Sequence, residues 1–297
     1  MAELVAYKIW YRGNANLKWV LRRLRTQQPP VAQSTPIARL PQDVVELIFS
    51  FLIYDIDTLL ACSATCYSWY TTTLPHLYRY LTIDDEMIPE DRHEWPKPLR
   101  KPYKLGLLPF VKQLCIRNID TFAPDRFNKC TLRYFSALTN LRELGIDHLQ
   151  LSSFMPDIQR YFGHFAPTLQ FLALKEPKGS SREILCFIGL FPNLRDLKLC
   201  YPYPIEEEEE STADSALIPL HKPPLCGRLI LACFTREGLV KDMIALFGGL
   251  RFRYMDLFRV KCARLLLDAC TETLETLRLY PTDPLGKGFS EKNEGAI

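Results

Sequence analysis

Apolar residues recur along this chain in two rhythms, and the change between them divides it. From Leu40 to Trp69 (LPQDVVELIFSFLIYDIDTLLACSATCYSW) the spacing is helical. Placed at about 100° per residue, Val44, Val45, Leu47, Ile48, Phe49, Phe51 and Leu52 fill an arc of about 200°, leaving Asp43, Glu46 and Ser50 on the polar side. A helix that packs one face against a single core needs a stripe nearer about 100° wide, so the surplus implies a second partner. Pro41 suits the first turn of this helix, which runs to about Leu52, and Asp43 and Glu46 lie where carboxylates favour a helix N-terminus. Asp57 or Thr58 then caps a second helix through Leu59, Leu60, Cys62 and Cys66, and Trp69 begins or ends a third. Three short helices make a core too small to be robust alone.

After Tyr78 the rhythm becomes an apolar triplet, L-x-x-L-x-L. Clear copies are Leu141/Leu144/Ile146, Leu169/Leu172/Leu174, Leu194/Leu197/Leu199 and Leu274/Leu277/Leu279. Weaker ones are Val111/Leu114/Ile116, Cys226/Leu229/Leu231 and Phe252/Met255/Leu257, with Tyr78/Leu81/Ile83 a possible eighth at the junction. First positions step by 30, 28, 25, 32, 26 and 22 residues, periods similar to those of leucine-rich repeats. In each unit the last two apolar positions point inward from a short strand, and the following stretch forms a helix that covers it. Residues 152–165, 180–191, 235–247 and 259–270 have the matching helical spacing, with Ser-Ser or Thr-Arg-Glu capping chemistry opening two of them. The expected fold class is therefore α/β: a small N-terminal three-helix module followed by a leucine-rich-repeat solenoid with a curved parallel sheet.

Two segments break the rhythm. Residues 81–110 are rich in Pro and charge and read as an irregular connection; residues 201–224 carry Glu206 to Glu210 among prolines and read as an acidic loop insertion. The latter is a solvated charge run or, alternatively, a clamp for a basic partner. The expected organisation is thus 1–36 basic leader and linker, 37–80 helical module, 81–110 connection and 111–297 repeats.

Charge refines the picture. The net +3 hides an asymmetry, since residues 1–39 hold +6 and the remainder −3, which argues against nucleic acid as the main partner of the folded part. The leader is either an organelle presequence or, being poor in Ser, a short basic helix outside the domain. Ten cysteines without a C-x-x-C pair or a secretory signal fit a reducing compartment, cytoplasmic or nuclear. No apolar run approaches the roughly eighteen residues a bilayer span requires.

The search for chemistry finds no catalytic residue, cofactor site or metal site. His76, His93, His148, His164 and His221 are dispersed, without an H-E-x-x-H or H-x-E arrangement. Cys62 and Cys66 share a helix face but have no further ligand nearby. Neither a P-loop nor a G-x-S-x-G elbow is present.

The order Leu40-Pro41, Asp43-Val44, Ile48 to Leu52, Leu59-Leu60, then Cys66 and Trp69 resembles the F-box, the module that docks substrate receptors onto the Skp adaptor of cullin-RING ubiquitin ligases. Leu74 to Leu81 also looks like the bridge that fungal members use into their repeats. Tyr54 to Ile56 and the residues Thr65 and Tyr67 depart from the commoner pattern. The resemblance implies adaptor contacts at Leu40, Pro41, Val44, Ile48, Leu52, Leu59 and Leu60, with Trp69 locking the module's own core.

A substrate surface is expected where residues alternate with the buried strand leucines, at Arg117, Asp147, Phe171, Lys175, Asp196, Lys198, Tyr254, Asp256, Phe258, Arg278 and Tyr280. Arg117, Lys175, Tyr254, Phe258, Arg278 and Tyr280 are the candidate substrate contacts, because aromatics and Arg are enriched at binding hot spots. The implied function is that of a non-catalytic substrate-recognition subunit of an SCF-type ligase, acting on an unknown protein substrate. The alternatives are a scaffold that docks the adaptor without substrate turnover and a nucleic-acid binder acting through the basic leader.

Overall fold

The computed structural model describes residues 40–84, 97–117, 129–151, 158–200, 225–232, 237–247, 249–258, 260 and 262–280. The basic leader, the acidic loop 201–224 and residues 281–297 lie outside the described residues.

Three helices come first among the described residues: α1 (Gln42–Phe51), α2 (Ile56–Ser63) and α3 (Tyr67–Leu77). Pro41 stands at the N-cap of α1 with extended ψ, and α2 is capped by Asp55, not by Asp57 or Thr58, because its carboxylate accepts from the Thr58 amide at 3.0 Å. Val45, Phe49 and Leu59 form the buried centre, with Leu52, Ile56, Cys62, Trp69 and Leu77 packed around it. At roughly 1.5–3 kcal/mol for each fully buried large side chain this is a modest core. A side-chain bond from Gln42 to Thr72 (2.9 Å) ties α1 to α3.

The chain then enters a sheet directly. Eight parallel strands, β1 (Tyr80–Asp84), β2 (Gln113–Arg117), β3 (Glu143–Asp147), β4 (Phe171–Lys175), β5 (Asp196–Cys200), β6 (Leu225–Ala232), β7 (Leu250–Phe258) and β8 (Thr276–Tyr280), lie in sequence order. Parallel neighbours need crossover connections, and six helices lie along them: α4 (Lys97–Lys104), α5 (Lys129–Ser136), α6 (Ile158–Phe162), α7 (Ser181–Ile188), α8 (Glu237–Leu246) and α9 (Ala263–Cys270). The described helices pack on one face of the sheet, where one continuous core joins the strand leucines to residues such as Leu99, Phe135, Phe162, Leu185, Val240 and Leu266. Among the described residues the opposite face carries no helix.

Strand registers align the triplets: Leu114, Leu144, Leu172, Leu197, Leu229, Met255 and Leu277 form one row, and Ile116, Ile146, Leu174, Leu199, Leu231, Leu257 and Leu279 the next. Between strands and helices a phenylalanine chain crosses successive units, with centroid distances of 6.0 Å for Phe135–Phe162, 5.2 Å for Phe162–Phe187 and 5.4 Å for Phe187–Phe191. Ser180 and Glu183 form the full capping box of α7, as the Ser-Ser signal leads one to expect.

Three expectations change. Residues 81–110 are not simply an irregular connection, since β1 buries Leu81 and Ile83 beside β2, and α4 and a 3-10 turn (Leu108–Phe110) follow. In β6 the buried first position is Leu225, and Cys226 is exposed, because the register shifts at Gly227/Arg228. On β8, Leu277 and Leu279 are exposed, as no helix covers them among the described residues.

Candidate functional site

Helix α1 carries two apolar stripes, and only one is used internally. Val45, Phe49 and Leu52 face α2 and α3. Val44, Leu47, Ile48 and Phe51 recur at i, i+3, i+4 and i+7, span an arc of about 100°, and are all exposed, Leu47 at 57%, Ile48 at 44% and Phe51 at 79%. Leu40 extends the stripe at the helix start, and Tyr54 and Tyr67 add two exposed rings at the ends of the loops flanking α2. An apolar patch of this kind on a soluble module marks an interface.

Most residues expected to contact an adaptor sit where they can. Leu40, Pro41, Val44 and Ile48 are exposed, and Leu52 and Leu60 are half-buried. Leu59 is the correction: at 0% exposure it fills the centre of the module between Val45 and Phe49 and offers nothing to a partner. Leu47 and Phe51, absent from the expected contacts, present more apolar surface than any residue among them. The helical wheel held the signal, because splitting the wide arc into a 45/49/52 stripe and a 44/47/48/51 stripe separates the two faces. Trp69 does lock the core, its ring standing edge-on to Phe49.

The open face of the sheet gathers some of the candidate substrate residues and scatters others. Tyr254, Phe258, Arg278 and Tyr280 meet on β7 and β8, where Phe258 and Tyr280 stack at 4.1 Å with rings 3° from parallel. Asp256 lies among them, buried, accepting from Arg228 Nε at 3.0 Å and also from its Nη2, with Arg278 Nε 3.9 Å from its other oxygen. Glu275 beside the Tyr254 hydroxyl raises that phenol's pKa. Lys175 stands apart on β4, 3.8 Å from Asp147, and Arg117 is on β2 near the other end of the sheet. The face therefore offers an aromatic and cationic cluster at β6–β8, with Arg228 the member that sequence reasoning missed.

Among the described residues no group of three or more His, Cys, Asp or Glu is placed to hold a metal ion, and no helix is long and apolar enough to cross a membrane.

Comparison with known families matches residues 37–84 to the F-box-like family. The match covers α1 to α3 and runs through β1, the same elements that carry the outward stripe, and supports an F-box protein. No curated protein matches the chain.

Proposed function

We propose that this protein is a substrate-recognition subunit of an SCF-type cullin-RING ubiquitin ligase, with the F-box-like module docking the Skp adaptor and the sheet holding a target protein. One observation carries the reading: α1 fills its own core with one stripe and presents a second, Val44, Leu47, Ile48 and Phe51, to solvent. The contact set is Leu40, Pro41, Val44, Ile48, Leu52 and Leu60 together with Leu47 and Phe51. The strand periods of 22 to 32 residues and the single-sided helical layer support leucine-rich repeats of the kind that follow an F-box in fungal-type receptors. The target is held on the open face by Tyr254, Phe258, Arg278 and Tyr280, with Arg117 and Lys175 more distant contributors. The receptor supplies no chemistry of its own, and a cytoplasmic or nuclear setting suits the absence of disulfides among its described cysteines.

The test is coexpression of the full chain with the Skp adaptor and cullin. Wild-type chain copurifies with the adaptor, and Ile48→Asp or Phe51→Asp abolishes capture while the far-ultraviolet circular dichroism is retained. Retained capture by both variants removes the docking surface. Partners captured by the sheet face accumulate when the ligase is inhibited; unchanged turnover of those partners would assign the protein to scaffolding.

A further inference from the structure

The residue that precedes four of the first five strands is a cation. Arg79, Lys112, Arg142 and Arg195 stand one residue before β1, β2, β3 and β5, with Gln170 before β4. The backbone aligns them, since Lys112 N donates to Arg79 O (2.9 Å), Arg142 N to Lys112 O, Gln170 N to Arg142 O and Arg195 N to Gln170 O (each 2.8 Å). With strands about 4.8 Å apart, the four cations form a row along one edge of the sheet.

These cations have few partners within the described fold: Arg79 lies 5.9 Å over the Tyr80 ring, and Arg195 acts on the neighbouring Asp196 carboxylate. No ion pair among the described residues uses Arg79, Lys112, Arg142 or Arg195, and the buried Nε of Arg79 has no hydrogen-bond partner. Burial lowers the pKa of Lys112, and the neighbouring Arg79 and Arg142 lower it further. The same two cations, Lys112 and Arg79, add to burial in holding His76 down, against a weaker opposing pull from Glu46. Such crowding of like charge is relieved by an anion.

The row also has a receptacle. A cleft of about 420 Å³ opens where Arg142, Gln170 and Arg195 meet the turns carrying Asn140, Thr168 and Asn193. Its walls are fixed, because Asn140 Nδ2 donates to Pro109 O (2.9 Å) and Asn193 Nδ2 to Pro167 O (2.8 Å), tying each turn to the preceding unit. Arg142 and Arg195 lie two strands apart, about 10 Å, close to the roughly 9 Å between carboxylates three residues apart on one face of a polyproline II peptide, which has three residues per turn at about 3.1 Å each. Gln170 sits between them with both a donor and an acceptor for a peptide backbone.

We infer that this edge is a second binding surface, distinct from the open sheet face and from the adaptor stripe, and that it takes an acidic peptide in the polyproline II conformation with carboxylates three residues apart, seated on Arg142 and Arg195. Charge complementarity selects a peptide over a nucleic acid. The uncharged Gln170 stands between the two arginines, so a continuous polyphosphate would leave a phosphate against a neutral side chain, whereas two discrete carboxylates would not. The inference does not depend on adaptor docking.

The test uses the full-length chain and a fluorescein-labelled synthetic peptide, GESSESSEG, followed by fluorescence anisotropy at low salt. The peptide binds, a version with every glutamate changed to glutamine does not, and Arg142→Glu with Arg195→Glu weakens binding by about tenfold or more. Both sites are exposed, so the double variant keeps its melting temperature, and Arg264→Glu on α9 serves as the charge control without effect. Equal binding of the glutamine peptide, unchanged affinity in the double variant, or tighter binding of a single-stranded oligonucleotide than of the peptide each overturns the proposal. Binding that appears only after Glu206 to Glu210 are changed to glutamine would assign the cleft to the chain's own acidic run, with the same result.

Discussion

Phe49 and Trp69 meet edge to face, 5.3 Å between ring centroids at 86°. The contact joins α1 to α3 across a core with only three fully buried apolar side chains, so it holds a large share of what fixes α1 in place. Trp69→Ala therefore costs the module about 2–4 kcal/mol, below the full cost of a completely buried ring because the indole is partly exposed. Limited proteolysis checks this: the variant is cut within residues 40–79 while the sheet resists. Equal resistance of both parts would show that the pair contributes packing of no consequence.

Leu59 and Phe51 separate stability from docking. Leu59→Ala empties the centre of the small core and destabilises it by about 2–5 kcal/mol. Phe51→Ser removes an exposed ring and changes stability by no more than about 0.5 kcal/mol. Urea unfolding measures the first difference and adaptor capture the second. Phe51→Ser losing capture at unchanged stability is the expected pattern; loss of both together would mean that Phe51 supports the fold.

Much of this architecture was legible in the chain because parallel strands covered on one side impose a local rule. Leu144 and Ile146, or Leu197 and Leu199, are inward because a period of two places them there, and the intervening residues must face the open side. The Ser180 and Glu183 signal likewise has a purely local cause. What escaped reading depends on distant neighbours. Leu59 looked the same as Leu60 in sequence, and only the packing of Val45 and Phe49 onto it distinguishes core from surface. The strand at Tyr80–Asp84 was legible as an eighth triplet, Tyr78/Leu81/Ile83, whereas the helix at Lys97–Lys104 was hidden because prolines and charges dominate the composition around it. Asp256 was expected on an open face, and its burial follows from Arg228 reaching over it from the next strand. The basic row needs register, which no single repeat reveals.

Gly227 lies at the register shift between β6 and β7 with φ of +94°, a region closed to most L side chains. An added Cβ would fall inside contact distance of the Arg195 carbonyl, which accepts from Arg228 N at 2.9 Å. Gly227→Ala consequently costs about 3 kcal/mol or more, from strain and from the weakened pairing of β5 with β6. Hydrogen exchange of the Arg228 to Ala232 amides reports it, with faster exchange than at β2 and β3. Protection equal to wild type would show that the backbone relaxes at no cost.

Tyr78, at the end of α3, has its phenol pKa pushed up from the ordinary tyrosine range to about 12, chiefly by burial and then by the neighbouring Tyr70. Because the folded value lies above the unfolded one, this contribution is fully present below about pH 10 and is lost as the pH climbs toward 12. The amount is about 3 kcal/mol at most. Tyr78→Phe flattens the alkaline branch of the stability curve; a branch unchanged by the substitution would place its origin in other groups.

Asp256 and Arg278 divide the open face into a part that supports the sheet and a part free to bind. Asp256 is buried and takes two bonds from the partly buried Arg228, whereas Arg278 is 62% exposed and only 3.9 Å from the second carboxylate oxygen. Removing the carboxylate takes away the anion that Arg228 bonds and leaves Asp196, its register partner on β5, as a carboxylate neighbour, so Asp256→Ala costs about 1–3 kcal/mol. Arg278→Ala forfeits a screened, long contact and shifts stability by no more than about 0.5 kcal/mol. Thermal unfolding of the two variants gives the first comparison. The second is capture of sheet-dependent partners: Arg278→Ala, combined with Tyr280→Ala to remove one ring of the half-buried stacked pair, leaves folding intact and depletes those partners. A captured set identical to that of the wild type would move the target site away from β7 and β8, with Asp256 retained as a structural anion alone.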